Sequence, residues 1–208
     1  NPFDLADDFL ILMPLSGGNI MAIRWDISAD DVQSKVFNGS AWDVSWTNID
    51  TSATDNTTYD GAFGATVDKA TGRIYLVYAA DIATLGTADD IRTTVYSGDT
   101  WISMTDILFN DTKGITGAKI SFDENTGDIY AVYSARTTSG TANTGNVYWK
   151  KSTDRMTTWG VEQGPINTTA DDIYGARVNS MSNERIYVTW YGATPDDLFG
   201  NTIADLTP

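Results

Sequence analysis

The sequence predicts an all-β chain assembled from a repeated unit of about 55 residues. Its composition favours short strands joined by polar turns. Of the 28 acidic residues, 25 are Asp, which favours turns, and only three are Glu, which favours helices. The chain also contains 18 Gly, 7 Trp, 10 Tyr and 7 Phe, a combination typical of strands and tight turns.

One hairpin recurs along the chain and supports the repeat. Residues 68–78 (DKATGRIYLVY) reappear 55 positions later as residues 123–133 (DENTGDIYAVY). A third copy occupies residues 182–190, and a weaker one occupies residues 16–25. In each copy a turn containing Gly or Asn precedes an apolar run, which predicts two strands, a and b, joined by a tight turn.

A second pair of strands, c and d, follows each hairpin. Residues 36–42 (VFNGSAW) match residues 95–101 (VYSGDTW) in a pattern of aromatic residue, Gly turn and Trp. The third copy begins at Val147, aligned with Val95, and runs to residue 159 with a longer turn. Four antiparallel strands in about 55 residues are typical of one blade of a β-propeller.

Counting the repeats predicts about four blades, in a single propeller domain or a partial propeller. Their expected bounds are residues 6–55, 56–110, 111–167 and 168–208, and the last blade lacks its outer strand. Three explanations of that missing strand remain open. The N-terminal residues close a four-bladed ring, the chain is part of a propeller of six to eight blades, or a neighbouring molecule donates a strand to the unpaired edge.

The charge and the residue usage exclude several classes of function. A net charge of −15 and a pI near 4.1 argue against nucleic acid as a partner, because phosphate binding requires clustered Lys and Arg. The sequence has no Cys and no His, which removes disulfides, thiolate nucleophiles, His-based triads and imidazole metal ligands. The longest apolar run has the length of a strand, so we expect no membrane span.

Residues 152–159 (STDRMTTW) resemble the Asp-box of sialidase-like BNR-repeat propellers, whose pattern is Ser-x-Asp-x-Gly-x-Thr-Trp. The matching residues are Ser152, Asp154, Thr158 and Trp159, while Met156 stands where the family prefers Gly. The resemblance implies a structural turn between strands c and d, in which Asp154 accepts hydrogen bonds from turn amides and Trp159 packs between blades. It implies a fold and assigns no chemistry.

The same resemblance raises the question of a sialidase-like hydrolase, which would use a cluster of Arg with Tyr, Glu and Asp. Three Arg lie on predicted strands, namely Arg24, Arg92 and Arg177. The family's early Arg-Ile-Pro strand has no counterpart, because residues 10–14 (LILMP) contain no Arg. We assign no catalytic residue and expect a non-catalytic interaction or structural module, extracellular or at the cell surface.

Two alternatives remain. The first is a glycoside hydrolase whose catalytic residues lie partly outside this chain, and it is favoured if one of these Arg converges with a Tyr and a carboxylate at the mouth of the channel. The second is a subunit of a surface filament or layer, joined by strand exchange through the unpaired edge.

Four Asn-x-Ser/Thr sequons make the chain a candidate glycoprotein. They begin at Asn38, Asn56, Asn110 and Asn167. The last three fall just after a strand d, at spacings of 54 and 57 residues, so their glycans would decorate one rim of the propeller. The alternative is that Asn and Thr serve as turn residues at these points.

Pairs of adjacent Asp recur before strand c, and their carboxylates are candidate ligands for calcium, which prefers oxygen ligands. The pairs are Asp30 and Asp31, Asp89 and Asp90, and Asp196 and Asp197. The sequence contains no EF-hand pattern, and we expect no other cofactor. Solvated turns are the alternative explanation of these pairs.

Aromatic residues at repeated positions predict the packing between blades. Trp42, Trp101 and Trp159 recur at equivalent places, and most other strand aromatics are expected in the core. Trp46 and Tyr59 are the candidates for an exposed rim that binds a glycan or a protein.

Overall fold

A computed structural model of the chain describes residues 9–26, 29–51, 63–80, 90–104, 115–136, 145–167, 173–181, 185–193 and 196–204. Within these ranges the chain is all-β, with one short 3-10 turn at Ser16–Gly18 and no α-helix. The strands in chain order are β1 (Phe9–Pro14), β2 (Ile20–Asp26), β3 (Asp31–Phe37), β4 (Thr47–Asp50), β5 (Phe63–Asp68), β6 (Arg73–Ala80), β7 (Asp90–Ser97), β8 (Thr100–Ser103), β9 (Ile115–Phe122), β10 (Ile129–Arg136), β11 (Gly145–Ser152), β12 (Ile173–Met181), β13 (Arg185–Ala193) and β14 (Asp196–Ala204).

The strands form four antiparallel sheets, each built from strands that are consecutive in the chain. Sheet 1 has the order β1-β2-β3-β4, sheet 2 β5-β6-β7-β8, sheet 3 β9-β10-β11 and sheet 4 β12-β13-β14. The prediction of an all-β chain of antiparallel units is therefore confirmed. In sheet 3 an irregular segment runs beside β11, where Ile166 N donates to Val147 O at 2.8 Å and Gln163 N to Trp149 O at 2.9 Å.

The repeated hairpin turns are held by one aspartate each. Asp68 Oδ1 accepts hydrogen bonds from the amides of Ala70 and Thr71, at 2.9 and 3.2 Å, and its Oδ2 accepts one from Thr71 Oγ1 at 2.6 Å. The turn ends at Gly72, whose φ of +70° is a left-handed conformation that glycine adopts without strain. Asp123 begins the equivalent turn 55 residues later, and its Oδ1 accepts from the amide of Asn125 at 2.8 Å.

The sheets pack face to face through alternate residues of their second strands. On β6, Tyr75 stacks on Phe122 of sheet 3 with ring centroids 5.8 Å apart, while Tyr78 on the opposite face is bound to sheet 1 through Asp50. A first apolar cluster joins sheets 1, 2 and 3, and a second joins sheets 3 and 4. The expectation that Trp25, Trp149, Trp190, Tyr78 and Tyr133 belong to the core is confirmed, since all are less than 9% exposed.

Strand register establishes which residues are equivalent in successive sheets. Ile74 of β6 pairs with Tyr96 of β7, and Ile129 of β10 pairs with Ser152 of β11. Ser152 is therefore the counterpart of Tyr96, so the expected match of Val147 with Val95 is wrong by four residues. The misalignment arose because Tyr148 and Trp149 lie in the middle of β11, whereas the first two repeats have an aromatic residue at or next to the end of the third strand.

Candidate functional site

One face of sheet 1 carries a polar network, which we call the sheet 1 polar face. It lies on the side of the sheet opposite the first apolar cluster, because Trp25 of β2 contacts Phe63 of sheet 2 and its neighbour Arg24 alternates to the other side. The residues of this face are Arg24, Asp26, Asp31, Gln33, Lys35, Trp46 and Asn48.

Arg24 and Gln33 are the centre of the network and orient its outer groups. Arg24 Nε donates to Gln33 Oε1 at 2.8 Å, and Arg24 Nη2 forms an ion pair with Asp26 at 3.0 Å. Gln33 Nε2 donates to Asn48 Oδ1 at 2.7 Å and to Asp31 Oδ2 at 3.3 Å. Because Arg24 and Gln33 are largely buried while Asn48 is exposed, the inner pair fixes groups that solvent reaches.

Trp46 lies against two cations of the same face. The guanidinium carbon of Arg24 is 4.5 Å from the centroid of the indole, and Lys35 Nζ is 5.6 Å from it. Both distances fall within the range of cation–π attraction, so Trp46 has a defined orientation although it follows a loop. Two aromatic residues were predicted at an exposed rim. Trp46 belongs to the sheet 1 polar face, and Tyr59 lies outside the described residues.

A second cluster brings together an Arg, a Tyr and a carboxylate, the combination that would favour a hydrolase. Asp50 Oδ2 accepts hydrogen bonds from Tyr78 OH at 2.8 Å and from Arg92 Nη1 at 2.9 Å. Asp50 belongs to the outer strand of sheet 1, whereas Tyr78 and Arg92 belong to the second and third strands of sheet 2. The cluster therefore joins the fourth strand of sheet 1 to the second and third strands of sheet 2, and its three residues all lie outside the first strands of the sheets.

Protonation of Tyr78 also argues for a structural role of this cluster. Burial, followed by the negative charge of Asp50, raises the pKa of Tyr78 far above its ordinary value. A tyrosine that serves as a nucleophile needs the opposite shift. Tyr133 occupies the equivalent place in sheet 3, and its OH donates to Glu162 at 2.6 Å.

The first strand of sheet 3 carries a partly buried lysine that the sequence analysis did not single out. Lys119 of β9 packs closely against Gly64 of β5, since a Cβ added to Gly64 would lie only 3.0 Å from Lys119 Cα. The ammonium of Lys119 donates to the carbonyl oxygen of Phe63. Burial first, and then the positive charge of Arg177, lowers the pKa of Lys119 to about 7. Arg177 lies on β12 and is one of the three Arg that were predicted to lie on strands.

The turn at residues 152–160 is closed by hydrogen bonds to one carboxylate. Asp154 Oδ1 accepts from Ser152 Oγ at 2.9 Å and from Thr158 N at 2.8 Å, and its Oδ2 accepts from Thr158 Oγ1 at 2.7 Å. Partial burial raises the pKa of Asp154, but these hydrogen bonds outweigh it and hold the pKa below its usual range. Met156 has a φ of +68° and a fully buried side chain, and Trp159 packs partly buried against the first apolar cluster.

The predicted glycosylation sites differ in their accessibility. Asn38 is exposed in the turn after β3, and its Oδ1 accepts from the amide of Ser40 at 3.1 Å. Asn167 is buried, and its Nδ2 donates to Asn146 Oδ1 at 3.0 Å, so a glycan on that nitrogen would have to displace the hydrogen bond. Asn56 and Asn110 lie outside the described residues.

The aspartate pairs do not form a metal cluster in the part of the chain that the structure describes. There, no group of three or more acidic side chains is close enough to hold an ion. Asp30 is exposed with a φ of +56°, Asp31 accepts from Gln33 as above, and Asp197 is exposed. Asp89 and the side chains of Asp90 and Asp196 lie outside the described residues, so calcium binding stays a prediction.

The described ranges also bear on a membrane span. None of them contains a helix of the length and apolar character needed to cross a bilayer.

Comparison with known proteins identifies similar folds but no sequence family. No protein-family model matches the chain, and no curated protein matches it. A protein of unknown function from Dyadobacter fermentans has a TM-score of 0.62 at 12% identity, covering 94% of this chain and 60% of that one. An α-L-arabinanase from Penicillium chrysogenum, complexed with arabinobiose, has a TM-score of 0.59 at 14% identity, covering 95% and 63%.

The NanB sialidase of Streptococcus pneumoniae is a further similar structure, with a TM-score of 0.57 at 12% identity, covering 95% of this chain and 31% of that one. These identities are too low to carry over a function, and the likeness shows a propeller-like fold. The chain spans about three fifths of the length of the first two structures.

Proposed function

We propose that this chain is a non-catalytic carbohydrate-binding module on a propeller scaffold of the Asp-box type, exposed outside the cell or at its surface. The observation that carries the proposal is the sheet 1 polar face, where an indole lies beside an amide and carboxylates of fixed orientation. Sugars present hydroxyl groups that both donate and accept hydrogen bonds, and apolar ring faces that stack on aromatic side chains.

Each outer group of the face has a role in this proposal. Asn48 and Asp31 form the hydrogen bonds to sugar hydroxyls, because hydrogen bonds from Gln33 fix the orientation of both side chains. Trp46 supplies the stacking surface, oriented by Arg24. The net charge of −15 repels polyanionic chains, which favours a neutral oligosaccharide as ligand.

The non-catalytic part of the proposal is supported by how two acid groups are used in the described residues. The carboxylate of Asp50 is occupied by Tyr78 and Arg92, and Glu162 accepts from Tyr133. A general acid with a raised pKa next to a free carboxylate is what glycoside hydrolysis needs, and neither cluster provides it.

Binding of arabinobiose and of longer neutral oligosaccharides, measured by isothermal titration calorimetry, tests the proposal. We expect Trp46→Ala and Asn48→Ala each to weaken binding about tenfold, the size of a lost stacking or hydrogen-bonding anchor. Trp42→Ala is the matched control, because Trp42 packs at an angle against Phe37 on the same side of the sheet, with ring centroids 5.3 Å apart, but is not one of the residues of the network. Equal binding by Trp46→Ala and the unaltered chain would refute the site.

A glycoside hydrolase, with the chain as one part of it, is the second candidate. Arg177 and Lys119, on the first strands of neighbouring sheets, favour it because the guanidinium, together with the lysine when that is protonated, would attract an anionic sugar. Hydrolysis of fluorogenic sialosides and arabinosides is the test. Turnover that is lost in Arg177→Ala but kept in Arg185→Ala would replace the non-catalytic proposal.

Extracellular exposure is tested by the mass of the protein isolated from its source. We expect a decrease on enzymatic deglycosylation that is made smaller by Asn38→Gln and is unaffected by Asn167→Gln, since of these two side chains only that of Asn38 is exposed. An unchanged mass would remove the glycoprotein part of the proposal.

A further inference from the structure

Among the described residues, sheet 4 has no strand at the edge of β14, whereas sheets 1 and 2 have a fourth strand at the equivalent edge. In sheet 2, β8 pairs with β7 and its Trp101 lies opposite Tyr96. In the described part of sheet 4, β14 pairs with β13 on one side and with no strand on the other. Such an edge is a template for an additional strand.

A groove on sheet 3 lies beside this open position. Its volume is about 300 Å³, and it combines two indole rings with polar groups and an aliphatic residue, Val161, that is 79% exposed. Its lining residues are Trp149, Lys151, Thr153, Thr158, Trp159, Gly160, Val161 and Gln163. The groove has no part in the sheet 1 polar face.

The boundary between sheets 1 and 2 shows what normally covers such a place. Trp101, on the fourth strand of sheet 2, extends over the third strand of sheet 1 and donates from Nε1 to Ser34 Oγ at 3.0 Å. The outer strand of one sheet thus supplies an indole that covers the third strand of the sheet before it.

Strand register places the groove at the equivalent position of sheet 3. Ser34 pairs with Ile23, and Trp149 pairs with Val132. Since Val132 is the counterpart of Ile23 in the repeat, Trp149 is the counterpart of Ser34. On sheet 4, Ile203 pairs with Ile186 as Tyr96 pairs with Ile74. A residue opposite Ile203 on an added strand would therefore take the place of Trp101 and reach the surface that contains Trp149.

We propose that the edge of β14 and the groove on sheet 3 together bind an extended polypeptide segment, which pairs antiparallel with β14 and inserts a tryptophan into the groove. Backbone hydrogen bonds to β14 provide the register, and the indole provides the specificity. The inserted tryptophan lies opposite Ile203, which is partly buried against the second apolar cluster.

A synthetic peptide with the sequence of residues 97–104 (SGDTWISM) is the probe, because this chain already uses it as a fourth strand. Its binding to the whole chain is measured by fluorescence anisotropy through a label on its N-terminus. We expect the peptide with Trp replaced by Ala to bind at least tenfold more weakly, as for other buried aromatic anchors. An N-methylated peptide that cannot form strand hydrogen bonds is expected not to bind.

Variants of the chain locate the binding. Thr153→Trp fills the groove from its exposed edge and is expected to weaken peptide binding at least tenfold. Val44→Trp adds the same indole at a fully exposed position between β3 and β4 and is expected to leave binding unchanged. Hydrogen exchange of the β14 amides should slow when the peptide is bound. Trp46→Ala should have no effect on the peptide, which separates this result from the carbohydrate proposal.

Three results would overturn the inference. They are no binding of the peptide, equal binding of the Trp and Ala peptides, and displacement of the peptide by a neutral oligosaccharide whose own binding Thr153→Trp abolishes. The last result would assign the groove to a sugar.

Discussion

Replacing Lys119 by Met should remove a rise in stability between pH 7 and 9.5. The pKa of Lys119 is about 7 in the folded chain, against an ordinary value of 10.5. In this interval the unfolded chain binds more protons than the folded one, so the free energy of unfolding rises with pH. Over 2.5 pH units the rise is about 3 kcal/mol, at up to about 1.4 kcal/mol per unit.

Urea unfolding followed by tryptophan fluorescence at half-unit steps of pH measures this slope. The absence of His and Cys leaves only the terminal amine and the tyrosines to titrate in this interval, the tyrosines near its upper end, and both contributions are common to the unaltered chain and the variants. Lys69→Met is the control, because Lys69 is exposed in an ion pair with Glu124, and it should keep the slope. If Lys119→Met and the unaltered chain show the same slope, the lysine is solvated and the reasoning is wrong.

Three further substitutions test the turn and the contact between sheets 1 and 2, each by urea unfolding. Asp154→Ala should cost about 1–2 kcal/mol, since it removes the acceptor of Thr158 and Ser152, and the difference from the unaltered chain should shrink as acidification protonates Asp154, whose pKa is lowered; a difference that does not change on acidification contradicts this. Met156→Gly should also destabilise, by about 1–3 kcal/mol, because loss of the buried side chain exceeds the relief of its positive φ; a more stable variant would show that backbone strain dominates. Tyr78→Phe should cost about 1–2 kcal/mol through its lost bond to Asp50, against less than about 0.5 for Tyr96→Phe, whose partner is solvent-exposed; equal effects would argue against the role of Tyr78 between the sheets.

The repeated hairpins could be predicted from the sequence because their signals are local. Asp68 and Gly72 act within five residues of each other, and the same pair of residue types returns at Asp123 and Gly127. The antiparallel pairing of consecutive strands follows from such turns. The third pair of strands could not be aligned in this way, because its turn has a different length and an aromatic pair stands at the wrong register.

Contacts between sheets carried no signal in the sequence. Tyr78 and Asp50 are 28 residues apart, and the distance along the chain between Lys119 and Phe63 is 56 residues. Of the candidate carbohydrate site, only Trp46 was predicted as a ligand-binding residue, and Arg24 was named only as a strand Arg of a possible hydrolase. Gln33 was missed, because a polar residue on a strand is indistinguishable in sequence from a solvated one until its neighbours are known.

The construction of every sheet from consecutive strands has a consequence for how the chain folds. Pairings within a sheet close only short loops, so each sheet can assemble as a local unit, and the packing of sheet against sheet then follows. Repeats of this kind open from their least covered end. Sheet 4 has Tyr187 and Tyr191 about 40% exposed, whereas Tyr75, the counterpart of Tyr187 in sheet 2, is fully buried. Its amides should therefore exchange with solvent first, and unfolding should progress from sheet 4 toward the better covered sheets 2 and 3.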